Sequence, residues 1–246
     1  MTTRAEFLGR VRTEMAKTRG LFPATPAPRP GNPREAAELV RRQLAERWPQ
    51  ALERFRAEFE RVAGVFHRVP SLAELPALLA RIAAEKQARE VVGWEAGALG
   101  WDLSAALARH GLTVLLAPAG DGDPERRRHR EEAARAPLGV TGVDWALAET
   151  GTLILASGPG RPRSTSLLPD THVAVFGPGH LVESLEQVGI LLEAMHADGG
   201  AGVPGGMINF ITGPSRTADI ELTLTRGVHG PKEVHAVFVD TLSGPA

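Results

Sequence analysis

The side chain that most clearly could take part in chemistry is a single carboxylate that lies between two apolar runs. In "TGVDWALAETGTLILAS", residues 141–157, Glu149 separates the run "WALA" from the run "LILA". An ionised carboxylate inside a fold is costly unless a cation or hydrogen-bond donors accompany it. The nearest cations along the sequence are Arg161 and Arg163. A carboxylate in a turn, bonded to backbone amides, is the alternative, and the spacing alone does not decide between the two.

The neighbours of this carboxylate fit a β-hairpin whose mouth carries hydroxyl groups. If Thr150 and Gly151 form a two-residue connection, Glu149 lies directly opposite Thr152. We predict a partly buried Glu149 that contacts the Thr152 hydroxyl and an arginine. We expect this carboxylate to form part of a pocket wall.

A second group of polar residues follows a strand in "FITGPSRTADIELTLTRGVHGP", residues 210–231. Ser215 and Arg216 stand near the start of a predicted short helix, where backbone amides and a guanidinium form a site for phosphate or carboxylate. Asp219 and Glu221 add acids close by. Apolar residues at alternate positions argue for a strand instead, and an ordinary capped turn is the alternative to a binding site.

The elements that must position these groups alternate between apolar strands and helices from about residue 64 onward. This alternation predicts an α/β domain with a sheet that is buried on both faces. Helical periodicity predicts a cap over 34–88 that includes two helices meeting at Pro49, and the single domain then spans 34–246. Residues 1–33 are predicted to form an arm, a helix followed by a proline-rich linker. The arm docks on its own body or on a neighbouring subunit, and the second case implies a homo-oligomer.

Composition excludes several classes of protein. The formal net charge is -1, and "RRRHR" at 126–130 precedes two glutamates, which is typical of a solvated helix face; no nucleic-acid partner is expected. No apolar run reaches the roughly 18 residues of a membrane span, and a cytoplasmic location is expected. The sequence contains 0 cysteines, so it cannot hold an iron–sulfur cluster through thiolates. It contains no H-E-x-x-H motif, and no metal site is expected.

Three motifs together resemble the lactate-utilization protein C family, whose members contain a LUD domain. The motifs are "TGVDWALAETGTLILAS", "RSTSLLPDTHVAVF" and "TGPSRTADIELTLTRGVHGP", and the similarity runs from about residue 64 to 240. Residues 1–33 lie outside it. The resemblance implies a Rossmann-like, mostly parallel sheet with helices on both faces. It is similar to the fold shared by glucosamine-6-phosphate deaminase, ribose-5-phosphate isomerase and the CoA transferases.

The resemblance also implies a function in the oxidation of L-lactate to pyruvate together with two iron–sulfur partner proteins. In that function this chain is an accessory subunit that carries no cofactor of its own and binds a small carboxylate. Two alternatives stay open. One is a stand-alone transferase or isomerase that uses Glu149, and the other is a regulatory module that senses a carboxylate.

By motif, the resemblance implies one pocket at the strand ends, where open α/β sheets bind their ligands. Glu149 is the candidate catalytic residue in this pocket. The expected ligand-binding residues are Thr150, Gly151, Thr152, Arg163, Ser215, Arg216, Asp219, Glu221 and His229.

Overall fold

The computed structural model describes most of the chain. The described residues are 3–17, 31–102, 104–120, 122–197, 206–218 and 224–242. The chain divides into two compact units, residues 1–31 and residues 32–246. In the first unit, α1 (Arg4–Lys17) leaves Phe7 and Met15 exposed, and its docking surface stays a prediction.

The second unit alternates helices and strands. Its helices are α2 (Pro33–Arg61), α3 (Leu75–Glu85), α4 (Ala96–Leu99), α5 (Ser104–Ala108), α6 (Asp123–Arg135), α7 (Ser164–Leu167) and α8 (Leu185–Ala197). Its strands are β1 (Val65–Val69), β2 (Glu90–Gly93), β3 (Thr113–Leu116), β4 (Leu138–Thr141), β5 (Trp145–Leu147), β6 (Thr152–Ala156), β7 (Thr171–Phe176), β8 (Leu181–Val182), β9 (Ile208–Ile211), β10 (Arg216–Ala218), β11 (Leu224–Arg226) and β12 (Glu233–Val239).

The main sheet has six parallel strands in the order β1-β12-β7-β4-β2-β3. From β2 the chain continues to β3 at one edge, whereas from β4 it continues towards β7 on the other side. Because β2 and β4 are neighbours, a crevice opens between the loops that follow them. This crevice is the topological switch point at which open α/β sheets bind ligands.

Both faces of the main sheet are buried, which explains why its strands are continuous apolar runs. Ala236 and Phe238 of β12 pack with Phe55 of α2 on one face. The intervening Val237 packs with α3 residues such as Leu79 on the other face. The predicted α/β architecture, with a mostly parallel sheet and helices on both sides, is confirmed.

Four strands outside the main sheet form a second sheet in the order β8-β5-β6-β9. In this sheet β6 pairs antiparallel with both β5 and β9. The 29-residue helix α2 packs on both sheets. Val40 and Leu44 of its first half contact the small sheet, and Leu52 and Phe55 of its second half contact the main sheet.

The sequence predicted two helices that meet at Pro49. This prediction was wrong, because Pro49 lies inside the continuous helix α2. One proline removes one backbone hydrogen bond, and the apolar contacts that both halves make with the sheets outweigh this loss. The helix ends at Arg61, and β1 begins at Val65, inside the range predicted for the cap. The predicted cap is therefore in part a structural layer of the α/β core.

The segment after Gly213 is not the predicted short helix. Strand β10 pairs antiparallel with β11, with Arg216 opposite Arg226. The helix prediction was therefore wrong for residues 216–218, which form a strand.

The glycine between Thr150 and Thr152 generates a prediction about stability. Gly151 has a φ of 61°, and a Cβ there would lie 2.3 Å from the backbone nitrogen of Phe59 in α2. Gly111 has a φ of 74° but no atom within 4 Å of its Cβ position. Gly111→Ala should lower the free energy of unfolding by about 1 kcal/mol, because it adds only backbone strain. Gly151→Ala should cost about 1–3 kcal/mol more, since the turn must also move away from α2.

Urea unfolding of the two variants beside the unsubstituted protein measures this difference. Equal losses for Gly151→Ala and Gly111→Ala would contradict a close approach of the turn to α2.

Candidate functional site

An ion pair occupies the switch point of the main sheet. Asp144 follows β4, and its carboxylate accepts hydrogen bonds from the backbone amide of Ala156 at 2.7 Å and from Arg161 at 2.5 Å. The guanidinium carbon of Arg161 lies 4.4 Å from the ring centroid of Trp94, which follows β2. The Arg161 side chain therefore links the two loops of the crevice through a charged hydrogen bond and a cation–π contact.

The surroundings of this pair are largely closed to solvent. The side chains of Arg161 and Asp144 are 17% and 10% exposed, so the attraction between them is weakly screened. The backbone amide of Glu95 donates to the carbonyl of Gly160 at 2.9 Å, which holds the neighbouring loop in place. Within the described part of the chain, Nε of Arg161 and Nε1 of Trp94 are buried without a hydrogen-bond partner.

A neutral histidine completes the cluster. The pKa of His180 is lowered to about 4, chiefly by burial and also by the charge of Arg161, against the opposing effects of the Gly177 hydrogen bond and of Asp144. The backbone amide of Gly177 donates to Nδ1 of His180 at 3.1 Å. His180 is therefore uncharged near pH 7, and the charges of the cluster are those of Asp144 and Arg161.

The first of two cavities beside this cluster lies between α2 and α8 and is named here the large cavity. Its volume is about 960 Å³, and Asp144 and Arg161 are part of its wall. Apolar side chains such as Trp48 and Trp145 form much of the remainder, with Arg41 among the polar ones. The ion pair thus faces a space that is large enough for an organic molecule.

The second cavity lies between α6 and the loop before α7, and is named here the arginine cavity. Its volume is about 560 Å³. Four arginines line it, three from α6 and one from the opposite wall: Arg126, Arg127, Arg130 and Arg163. The arginines of "RRRHR" are exposed, as expected for a solvated helix face, and three of them also line this concave surface.

The histidine among these arginines does not add charge. His129 is 2% exposed, and its Nε2 lies 3.0 Å from the hydroxyl of Thr165. Burial lowers its pKa, against the opposing effect of Glu132. The positive potential of the arginine cavity therefore comes from its guanidinium groups.

Glu149 is not the partly buried carboxylate that we predict from the sequence. Its side chain is exposed, and Oε2 accepts a hydrogen bond of 3.1 Å from the backbone amide of Leu185, the first residue of α8. The reason is the register of the hairpin, which places Leu147 opposite Thr152 and so leaves a four-residue connection. Glu149 lies in that turn and stabilises a helix N-terminus. The alternative of a turn carboxylate bonded to a backbone amide is the observed one.

The other predicted residues of this turn are part of the packing. The hydroxyl of Thr152 lies 2.7 Å from that of Thr150 and 2.8 Å from that of Thr212. Thr152 is buried and Thr150 is exposed. Gly151 lies against the backbone of α2, near the amino ends of the parallel strands.

The predicted residues of the second motif lie beside the start of β12. The backbone amide of Ser215 donates to the carbonyl of Pro231 at 2.9 Å, and that of His229 donates to the Ser215 hydroxyl at 3.2 Å. Arg216 and His229 are exposed. This place is also at the amino ends of the parallel strands, opposite the switch point. Asp219 and Glu221 lie outside the described residues.

The described members of the predicted set therefore occupy three places rather than one pocket. Only Arg163 among them lines either of the two cavities. Sequence reasoning missed Asp144, Trp94 and His180 as a cluster, and considered Arg161 only as a partner for Glu149. The available signal was the position of Asp144 three residues after "LGVT", a run too short to be recognised as strand β4.

Two further findings concern the described residues as a whole. They contain no group of three or more histidines and acids placed to hold a metal ion. They also contain no helix with the length and apolar character required to cross a membrane.

Comparison with known proteins reveals similarity along most of the second unit. A family model for the LUD domain matches residues 52–239. A lactate utilization protein C from Exiguobacterium sp. is 44% identical over 113 residues, which cover 46% of this chain and 48% of the relative. One from Halalkalibacterium halodurans is 43% identical over 116 residues, which cover 47% and 50% respectively. The chain spans about half the length of the curated relatives it matches.

A solved structure shares the fold. The crystal structure of a DUF162 family protein from Deinococcus radiodurans is 25% identical in sequence and has a TM-score of 0.54. The match covers 78% of this chain and 98% of that one.

The buried ion pair generates a prediction about stability. Asp144→Asn keeps an acceptor for the Ala156 amide but leaves the Arg161 charge without its partner, and should lower the free energy of unfolding by about 3 kcal/mol. Asp170→Asn is the matched control, since the pair of Asp170 with Lys232 is 63% and 54% exposed and should contribute about 0–1 kcal/mol. Urea unfolding of both variants tests the contrast, and similar losses would show that the Asp144 pair does not anchor the switch point.

Proposed function

The chain belongs to the LUD domain family, and from this premise we propose that it is an accessory component of a lactate-utilization system. In this system, L-lactate is oxidised to pyruvate by iron–sulfur partner proteins that carry the electrons. The family membership and the relatives named lactate utilization protein C are the observations that carry the proposal. The 0 cysteines of the sequence fit a division of labour in which thiolate-bound clusters belong to partners.

The contribution of this chain is the binding of an anion in the arginine cavity. Guanidinium groups recognise carboxylates through paired hydrogen bonds, and a concave site lets several of them contact one ligand. Arg163, which the sequence motif also indicates, stands on one wall, and the arginines of α6 stand on the other. A small anion that carries carboxylate groups is the ligand proposed for this cavity.

Growth on lactate tests the proposed role. Cells that lack the gene should lose growth on L-lactate as the sole carbon source and keep growth on pyruvate, because the defect precedes pyruvate. Iron–sulfur proteins should copurify with the tagged chain from lactate-grown cells. The isolated chain should not oxidise lactate with an artificial electron acceptor, and robust oxidation by it alone would contradict the accessory role.

Substitution of Glu149 distinguishes the accessory role from the alternative of a stand-alone transferase. Glu149→Gln keeps an oxygen acceptor for the Leu185 amide and loses the negative charge at the start of α8. We expect a stability loss of about 0.3–1 kcal/mol by thermal unfolding and normal growth on lactate, because the contact supports only a helix terminus. A variant that folds normally but fails to support growth would favour covalent or acid–base chemistry at Glu149.

A further inference from the structure

The positive charge of the arginine cavity exceeds what one monovalent anion can neutralise. Four guanidinium groups and one carboxylate, that of Asp123, are the charged side chains among the described residues that line it. The formal net charge of the whole chain is -1, so this local excess is not a consequence of a generally basic protein. A cavity with such an excess attracts ligands that carry several negative charges.

Three of the four guanidinium groups are not used by ion pairs in the part of the chain that the structure describes. Across the described ranges, Arg127, Arg130 and Arg163 form no salt bridge, and Arg163 donates to the sulfur of Met207, a weak acceptor. Arg128, which is also on α6, differs from these arginines in its pairing and in its position. It pairs with Glu132 at 3.1 Å and does not line the cavity. On α6, the arginine outside the cavity is therefore paired with a carboxylate, whereas Arg127 and Arg130 on the cavity side are not paired with any described carboxylate.

The dimensions of the cavity also exceed those of a three-carbon acid. A volume of about 560 Å³ lies in the range of sites that bind drug-sized molecules, roughly 300–1,000 Å³. Its guanidinium groups come from two facing walls, α6 and the loop that carries Arg163. A single carboxylate can be paired by one fork of donors, whereas a ligand with several oxyanion groups can engage both walls at once.

We infer that the arginine cavity binds a small organic polyanion with two or more phosphate or carboxylate groups, and that lactate itself is not its preferred ligand. The inference rests on the proposed anion-binding role of this cavity and adds the charge and size of the ligand.

Isothermal titration calorimetry of the full chain tests the inference with three probes at constant ionic strength: pyrophosphate, citrate and lactate. Pyrophosphate or citrate should bind with a Kd at least about tenfold below that of lactate, because each can contact both walls. A tighter Kd for pyrophosphate assigns the site to phosphate groups, and a tighter Kd for citrate assigns it to carboxylates.

Three single variants locate the binding. Arg127→Gln and Arg163→Gln each remove one guanidinium from opposite walls, and each should raise the Kd of the tighter polyanion by about tenfold. Arg128→Gln removes the same charge from the same helix outside the cavity and should leave the Kd unchanged. Thermal melts verify that the variants fold, which is expected because these side chains are exposed.

The outcomes separate this inference from the proposed function. Equal affinities for lactate and for both polyanions would overturn the inference and leave the anion pocket standing. An equal loss of affinity in Arg128→Gln would overturn it as well, since binding would then follow the overall charge of α6. If none of the three probes binds, both the pocket and the inference fail, while growth on lactate still decides the role of the protein.

Discussion

The contact between Asp144 and Arg161 is the interaction on which the rest of the site depends. It joins the end of β4 to the loop that precedes α7, and the cation–π contact with Trp94 adds the end of β2. The same loop carries Arg161 on the side of the large cavity and Arg163 on the side of the arginine cavity. One buried pair therefore fixes a wall of both cavities, and its removal would affect two spaces that share no arginine.

The two cavities differ in the way they handle charge. In the large cavity, Arg161 is already balanced by Asp144 and the remaining wall is rich in apolar groups. In the arginine cavity, the described lining carries four arginines and one aspartate, and three of these arginines form no salt bridge with a described residue. An arginine that is paired with a carboxylate contributes mainly to structure and orientation. A group of arginines with fewer carboxylates can instead attract an anionic ligand. This contrast is the reason that we propose anion binding at α6 rather than at the switch point itself.

The sequence predicted the architecture well and the candidate site poorly, for physical reasons. Apolar runs such as "HVAVFG" and "VHAVFVD" are determined by burial on two faces, and burial leaves a clear pattern. The fate of Glu149 depended on the hairpin register, which shifts when the connection has four residues rather than two. The clustering of Asp144, Arg161 and Trp94 depends on strand order, which places β4 beside β2. Neither the hairpin register nor the strand order can be predicted from the spacing of residues along the sequence.

Strand β12 has a consequence for how the chain reaches its native state. It is the last strand of the described chain, yet it lies inside the main sheet, between β1 and β7. Val65 of β1 is in register with His235, so the two partners are separated by most of the sequence. Until β12 arrives, β1 cannot join the sheet, and β7 presents an open edge to other chains. Such long-range pairing slows folding, and a nascent or truncated chain without β12 would be prone to aggregate.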